Sequence, residues 1–269
     1  MTTRVRLDAE LVRRGLARSR EQAAELIADG RVSVGGQTAG KPATQVSKDA
    51  AVLVAPAGSD APPEYVSRGG HKLAGALAVF GALLPVAGRR CLDVGASTGG
   101  FTDVLLRAGA AQVVAVDVGY GQLAWSLRTD PRVTVLDRVN VRSLAPAQVA
   151  PPPSLAVGDL SFISLTLVLP ALVACCEPEA DYVLMVKPQF EVGKDRVGSG
   201  GVVRGPEARA DAVRAVAVAA AGLGLGVRGV TASPLPGPAG NVEYFLWLRQ
   251  GAPPLDEGEL QRAIAEGPT

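Results

Sequence analysis

The stretch RRCLDVGASTGGFTDVLLRAGAAQVVAVDVG, residues 89–119, decides how the rest of the chain is read. CLDV is a short aliphatic run of strand character that stops at Gly95. A turn of small residues follows, FTDVLLRAG has helical spacing and ends on glycine, and QVVAVDVG is a second aliphatic run. Strand, glycine-rich turn, helix and strand make one βαβ unit, which builds a parallel sheet covered by helices. The pattern continues outward. YGQLAWSLRTD (120–130) reads as a helix, and RVTVLD (132–137), SLAVGDL (154–160) and DYVLMVKP (181–188) read as strands. EARADAVRAVAVAAAGLG (207–224) is a long amphipathic helix, and the segments around Val227–Ser233 and Val242–Leu248 close the sheet. The expected fold class is α/β.

Glycines after a first strand let the backbone approach a bound nucleoside closely. Asp117 ends the second strand, 22 residues past Gly95, where a carboxylate can accept from both ribose hydroxyls. A nicotinamide dinucleotide uses that geometry too, but through G-x-G-x-x-G. Here Ser97 stands where the second glycine belongs, so the crowded pyrophosphate turn is missing. The order Asp93-Val94-Gly95-Ala96-Ser97-Thr98-Gly99-Gly100 resembles instead motif I of S-adenosylmethionine-dependent methyltransferases. The resemblance implies a Rossmann-like class I methyltransferase sheet. It places S-adenosylmethionine over Asp93, Gly95, Ala96, Ser97, Gly99, Gly100 and Phe101, with Asp117 on its ribose and Asn140 near adenine. Phe162 would pack beside adenine or methionine, or else be an ordinary core phenylalanine.

Composition narrows the function classes. Lysine and arginine number 27 against 26 acidic residues, so any nucleic-acid site is a local patch rather than a global field. Hydrophobic residues at 48% and charged residues at 20% describe a chain with a sizeable core. Cys91, Cys175 and Cys176 are too few and too badly spaced for a disulfide framework or a zinc cluster, which fits a reducing cytosol. A single histidine, His71, argues against a Ser-His-Asp triad, and no metal is required. The longest uncharged run, Leu160–Cys176, is short for a bilayer span and contains Pro170. No stable membrane association is expected.

The first sixty residues read as a separate α+β module. Leu7, Leu11 and Val12 recur at helical spacing before Gly15. Ser19 and Gln22 open a capping box for a second helix ending at Gly30, and Gly35-Gly36 signals a hairpin. Nine basic residues face seven acidic ones, but Arg13, Arg14, Arg18 and Arg20 fall within ten positions that hold no acid. RLDAELVRRGLARSREQAAELIADGRVSVGG, with KPATQVSKDAAVLV after it, resembles the RNA-binding domain named after ribosomal protein S-four. That resemblance implies RNA contacts by Arg6, Arg13, Arg14, Arg18, Arg20, Arg31 and Lys41. APAGSDAPP (55–63) reads as a linker. The expected organisation is an RNA-binding domain over 1–58, a linker over 59–68 and a methyltransferase domain over 69–269.

Four charged residues stand where a core would prefer none: Lys72 in SRGGHKL, Asp159 and Lys187 at strand ends, and Glu243 before an apolar strand. Residues at carboxyl strand ends of an open α/β sheet face its crevice. Ordinary strand-end ion pairs account for such carboxylates, but a lysine between VLMV and Pro188 is costly to bury unpaired. The order K…D…K…E resembles the tetrad of FtsJ/RrmJ-type RNA ribose 2′-O-methyltransferases. Together with DVGASTGGFTDVLL, DLSFISL, VKPQFEVGK and SPLPGPAGNVEYFLWL, it makes the whole chain similar to the TlyA family, also called hemolysin A-like.

That likeness implies a cytoplasmic enzyme that methylates a cytidine ribose of ribosomal RNA in each ribosomal subunit, with loss of the enzyme conferring resistance to capreomycin-like antibiotics. Lys72, Asp159, Lys187 and Glu243 would be its catalytic residues and ribosomal RNA its partner, with no obligate protein partner. In the joint, Tyr65 stands where mycobacterial relatives carry a tryptophan. The other readings are a 2′-O-methyltransferase of another RNA, a non-catalytic RNA-binding scaffold and a membrane-lytic hemolysin. The tail LDEGELQRAIAEGP (255–268) is expected to be a short surface helix.

Overall fold

A computed structural model of the chain describes residues 4–17, 19–55 and 64–268. The chain divides into two compact units, Met1–Glu64 and Tyr65–Thr269.

In the first unit, β1 (Arg4–Arg6) runs directly into α1 (Leu7–Arg13). The Ser19 hydroxyl accepts from the Gln22 N–H at 3.1 Å and so caps α2 (Arg20–Ala28). β2 (Val32–Val34) turns through Gly35 and Gly36 into β3 (Gln37–Thr38). Both glycines have positive φ, 57° and 83°, as a tight two-residue hairpin requires. β4 (Gln45–Ser47) pairs antiparallel with β1, and β5 (Val52–Val54) pairs antiparallel with β2. Leu7, Leu11, Ala23, Leu26, Ile27, Val32 and Val46 form the core between helices and strands.

Of the expected linker, residues 59–63 lie outside the described residues, whereas Tyr65–Arg68 are fastened to the second unit. The Val66 N–H donates to Asp103 Oδ2 at 2.9 Å. The Tyr65 ring meets His71 edge-on at 5.1 Å, and the Arg107 guanidinium lies 5.0 Å from its centroid. A side chain at Gly70 would collide with that ring, so glycine is needed there.

The second unit opens with α3 (Gly69–Phe80), which the sequence reading did not contain. β6 (Arg90–Val94), α4 (Gly100–Arg107), β7 (Gln112–Asp117), α5 (Trp125–Arg128) and β8 (Val133–Asp137) follow. Then come α6 (Pro146–Val149), β9 (Leu155–Gly158), α7 (Leu169–Cys175), β10 (Asp181–Val186), α8 (Pro188–Glu191) and α9 (Pro206–Ala221). β11 (Leu225–Ala232), β12 (Tyr244–Gln250) and α10 (Glu257–Glu266) complete the chain. The seven strands lie in the order β11-β12-β10-β9-β6-β7-β8.

Residues alternate across the sheet. Leu92, Val114, Ala156, Leu184 and Leu246 pack on one side with α7, α9 and α10. Cys91, Val113, Val157, Met185 and Phe245 pack on the other with α3 and α4. Helices therefore cover both faces of the sheet, the expected α/β class.

Three details differ from expectation. The sheet is parallel from β8 to β10, but β12 is antiparallel to both β10 and β11. A loop without a helix joins β11 to β12, so the chain doubles back as a hairpin instead of crossing over. The helix expected over 120–130 shrinks to α5, because Gly121 adopts φ 66° and Gln122 folds back onto Gly119. Finally, α10 is no mere surface helix: Leu260, Ala263 and Ile264 are buried against the sheet side that holds α9. No described helix is long and apolar enough to cross a membrane.

Candidate active site and the front-unit arginines

Strand order reverses between β6 and β9, since β7 and β8 lie to one side and β10 and β12 to the other. Open α/β sheets bind ligands at the carboxyl ends of the strands beside such a reversal. The two loops touch there: the Asp159 N–H donates to Val94 O at 3.1 Å, and a side chain on Gly95 would sit 2.7 Å from the Asp159 carbonyl oxygen. Gly95 (φ 81°) and Gly99 (φ 100°) are therefore required by the protein's own packing as well as by any ligand. Gly100 likewise lies against Ser67 and the Gly70 N–H. The non-glycine residues with left-handed backbone among the described residues are Ser97, Arg138 and Phe162, and they follow β6, β8 and β9. Strain of this kind gathers at functional sites.

Asp93 is fully buried at the end of β6. Its Oδ2 accepts from the Thr102 hydroxyl at 2.6 Å, and its Oδ1 has no partner. Burial pushes this carboxyl up to about 7, and the nearby charges of Asp159 and Asp117 add to the rise. Asp117 Oδ2 accepts from the Ser97 N–H and Oδ1 from the Gly119 N–H, both at 2.7 Å. Its carboxylate is thereby held in one orientation beside the glycine loop. Ala96 and Phe101 are buried, Phe101 against Phe245. Asn140 is exposed and uses its Oδ1 to cap the turn that follows, accepting from the Arg142 N–H at 3.0 Å. Phe162 is no core residue. It is 91% exposed and leans on Phe190 at a centroid distance of 5.3 Å.

The four charged candidates form two pairs. Lys72 on α3 donates to Glu243 Oε2 at 2.6 Å, both side chains are buried, and Glu243 Oε1 has no partner. Lys187 Nζ lies 2.6 Å from Asp159 Oδ1, but that contact lacks hydrogen-bond direction. Lys187 instead donates to Ser161 Oγ at 2.9 Å, a residue that the spacing does not single out. Its signal in the sequence is only its place two residues past Asp159. The register joins the pairs: Val186 faces Tyr244 across β10 and β12, so Lys187 and Glu243 emerge side by side from the same end of the sheet. Residues between 28 and 171 positions apart in the chain thus converge on one crevice.

In the front unit, two buried carboxylates organise the arginines. Asp8 accepts from Arg6 at 3.0 and 2.9 Å and from Arg20 at 3.2 and 2.9 Å. Glu10 accepts from Arg13 at 2.7 and 2.6 Å and from Arg14 at 2.7 Å. The Arg13 and Arg14 hydrogen bonds hold the Glu10 carboxyl at about 2, and Arg6, followed by Arg20, depresses Asp8 likewise. The arginines then separate by role. Arg6, Arg13 and Arg20 stay about half exposed, whereas Arg14 also donates to the carbonyls of Ala50 and Lys48, at 2.8 and 2.7 Å. Arg31 donates to Ala55 O and Glu64, and Lys41 is exposed. Arg18 lies outside the described residues. Arg14 and Arg31 donate to backbone carbonyls inside the unit, whereas Arg6, Arg13, Arg20 and Lys41 keep exposed surface.

Comparisons with known proteins agree with both units. Residues 65–250 match the FtsJ-like methyltransferase family, and residues 5–52 match the S4 domain. Over the full length of both chains, this one is 60% identical to the 16S/23S rRNA (cytidine-2′-O)-methyltransferase TlyA of Mycobacterium tuberculosis. It is 35% identical to Hemolysin A of Brachyspira hyodysenteriae, over 90% of this chain and 98% of that one. A solved chain from Streptococcus thermophilus, named as a hemolysin, superposes with TM-score 0.77 at 37% identity, covering 99% of this chain and 96% of the other. With an S4 domain preceding the methyltransferase domain in the sequence and 60% identity to a TlyA protein, the chain belongs to the FtsJ-like methyltransferase family and, within it, to the TlyA proteins.

Proposed function

We propose that the chain transfers a methyl group from S-adenosylmethionine to the ribose 2′-oxygen of a cytidine in ribosomal RNA, in the cytoplasm and on both ribosomal subunits. The observation that carries this reading is the pair of lysine–carboxylate contacts, Lys187–Asp159 and Lys72–Glu243, side by side at the crevice. The reading of rRNA, cytidine and two subunits rests on the similarity to the M. tuberculosis protein named for that activity. The same likeness suggests that cells lacking the protein resist capreomycin-like drugs.

The residues present suit the cofactor. S-adenosylmethionine carries a cationic sulfonium and an ammonium, and the crevice offers the unpartnered buried Oδ1 of Asp93 beside two further carboxylates. Asp93 would hold the ammonium, Asp117 the ribose hydroxyls, and the Gly95–Phe101 turn the methionine moiety, with Asn140 at the adenine end. Bound there, the cofactor supplies an electrophilic methyl group.

The chain's own groups do the rest. A ribose hydroxyl is a weak nucleophile at neutral pH, so its oxygen must lose its proton, or be stabilised as it does, during attack. Lys187 Nζ activates that oxygen, and Asp159 holds Lys187 at the crevice. Lys72 holds Glu243 in place beside Lys187. Phe162, exposed beyond Ser161, offers a ring face on which the target base can stack once it leaves its helix, which offsets an unstacking cost of a few kcal/mol.

The direct test is methyl transfer from radiolabelled S-adenosylmethionine to separated subunits that lack the modification, with the product mapped by its resistance to alkaline cleavage. The expected result is label on a cytidine ribose in both subunits. Label on a base, or none despite measurable cofactor binding, overturns the reading; label in one subunit alone removes its two-subunit part. For the front unit, Arg20→Ala is expected to weaken RNA binding and flatten its logarithmic salt dependence by about one unit per lost phosphate contact. Arg14→Ala is expected to lower the thermal midpoint instead. An unchanged salt slope for Arg20→Ala would make that arginine a solvated face only.

A further inference from the structure

Lys187 Nζ stands between two partners, and its contact with Asp159 Oδ1 at 2.6 Å is an ion pair off the hydrogen-bond axis. Its directed hydrogen bond among the described residues runs to Ser161 Oγ at 2.9 Å. Ser161 is exposed, and Phe162 directly after it has φ 64°, a backbone state that a phenylalanine rarely adopts. That turn carries the phenyl ring out to solvent while the serine hydroxyl stays against Lys187.

The loop is also pinned on its far side. Glu191 Oε2 accepts from the Ser164 hydroxyl at 2.6 Å, and Oε1 accepts from the Leu165 N–H at 2.8 Å. Glu191 ends α8, the turn that begins immediately after Lys187. The Lys187–Ser161 bond is thus one side of a closed ring of contacts: β9, its loop, Glu191, α8 and back to Lys187. A strained turn and a carboxylate latch both serve to fix where one serine hydroxyl stands.

We propose that Ser161 is a positioning residue for methyl transfer, orienting Lys187 Nζ so that one of its remaining directions meets the ribose 2′-oxygen. This rests on the 2′-O-methyltransferase reading above. A hydroxyl accepting from Nζ occupies one tetrahedral position of the nitrogen and so fixes the cone in which the others point. Whether the nitrogen presents an N–H or a lone pair to the substrate, the direction is set by Ser161. The serine keeps its own O–H and a second lone pair, so it can do this without surrendering its solvation.

The test compares Ser161→Ala and Ser161→Thr with the wild type and Lys187→Ala, using ribosomal subunits and saturating S-adenosylmethionine. Ser161→Ala is expected to lower kcat roughly 10–100-fold. KM for both substrates and the thermal midpoint should stay at wild-type values, and Ser161→Thr, which keeps the hydroxyl, should recover most of the rate. Wild-type kcat in Ser161→Ala overturns the proposal, and so does an equal loss in both serine variants with altered KM or midpoint. An active wild type with inactive Lys187→Ala confines such a failure to Ser161, whereas a wild type that makes no ribose methylation overturns the functional reading together with it.

Discussion

Lys187→Ala is expected to lower the rate of methyl transfer to ribosomal RNA by about 10²–10⁴-fold while leaving S-adenosylmethionine binding within a few-fold of wild type. The separation follows from the architecture. The groups proposed to face the cofactor, Asp93, Gly95 and Asp117, stand on β6, β7 and the turn after β6, whereas Lys187 follows β10 and its ammonium contacts the loop after β9. On the proposed reading, removing its ammonium takes positive charge from beside the reacting oxygen and leaves the glycine turn after β6 untouched. The fold should survive, because Asp159 keeps 23% of its side chain exposed and can be solvated once its partner is gone. Single-turnover transfer and calorimetric titration of the cofactor check the two halves. Retained turnover within tenfold of wild type would take Lys187 out of the chemistry.

Lys72→Ala is expected to damage the fold as well as the reaction. Its partner Glu243 has no exposed surface, and its Oε2 is satisfied by Lys72. Deleting the ammonium strands a carboxylate in the interior, which costs about 3–5 kcal/mol. For a unit of this size that corresponds to a fall of roughly 6–20 °C in Tm. The double variant Lys72→Met/Glu243→Leu removes both charges and keeps most of the volume, so it should recover much of the stability and none of the activity. Scanning calorimetry of the single and double variants, with methylation assays beside it, separates the two effects. A Lys72→Ala protein that melts like the wild type would mean that water or another donor reaches Glu243.

Much of this protein is legible in its sequence, for reasons of period and charge. The strands β6, β7, β9 and β10 are aliphatic runs buried on both faces, so they stand out without any knowledge of their neighbours. The turn from Asp93 to Gly100 is legible because its glycines sit where the backbone has no other choice: Gly95 and Gly99 have left-handed φ and no room for a side chain. Lys187 is visible as a charge that an apolar strand and a proline would not tolerate without a purpose. α3 escaped, since GGHKLAGALAVF begins with two glycines and has no capping side chain, so its local signal is weak. Its helical state comes from packing Leu73, Ala76 and Phe80 onto the sheet.

Local sequence could not decide which charges meet. Arg6, Arg13, Arg14 and Arg20 look alike as a run, and only the burial of Asp8 and Glu10 beneath them turns Arg14 inward and leaves Arg20 at the surface. Phe162 could have been a core ring or a contact residue until the loop after β9 carried it into solvent. Lys72 and Glu243 are 171 positions apart, and their contact depends on the hairpin that slots β12 between β10 and β11. Periodicity and backbone sterics act over a few residues, so the chain alone specifies its strands, its glycine turn after β6 and its modules. Ion pairs and the aim of a lysine depend on which strand ends lie side by side, and only tertiary packing brings those ends together.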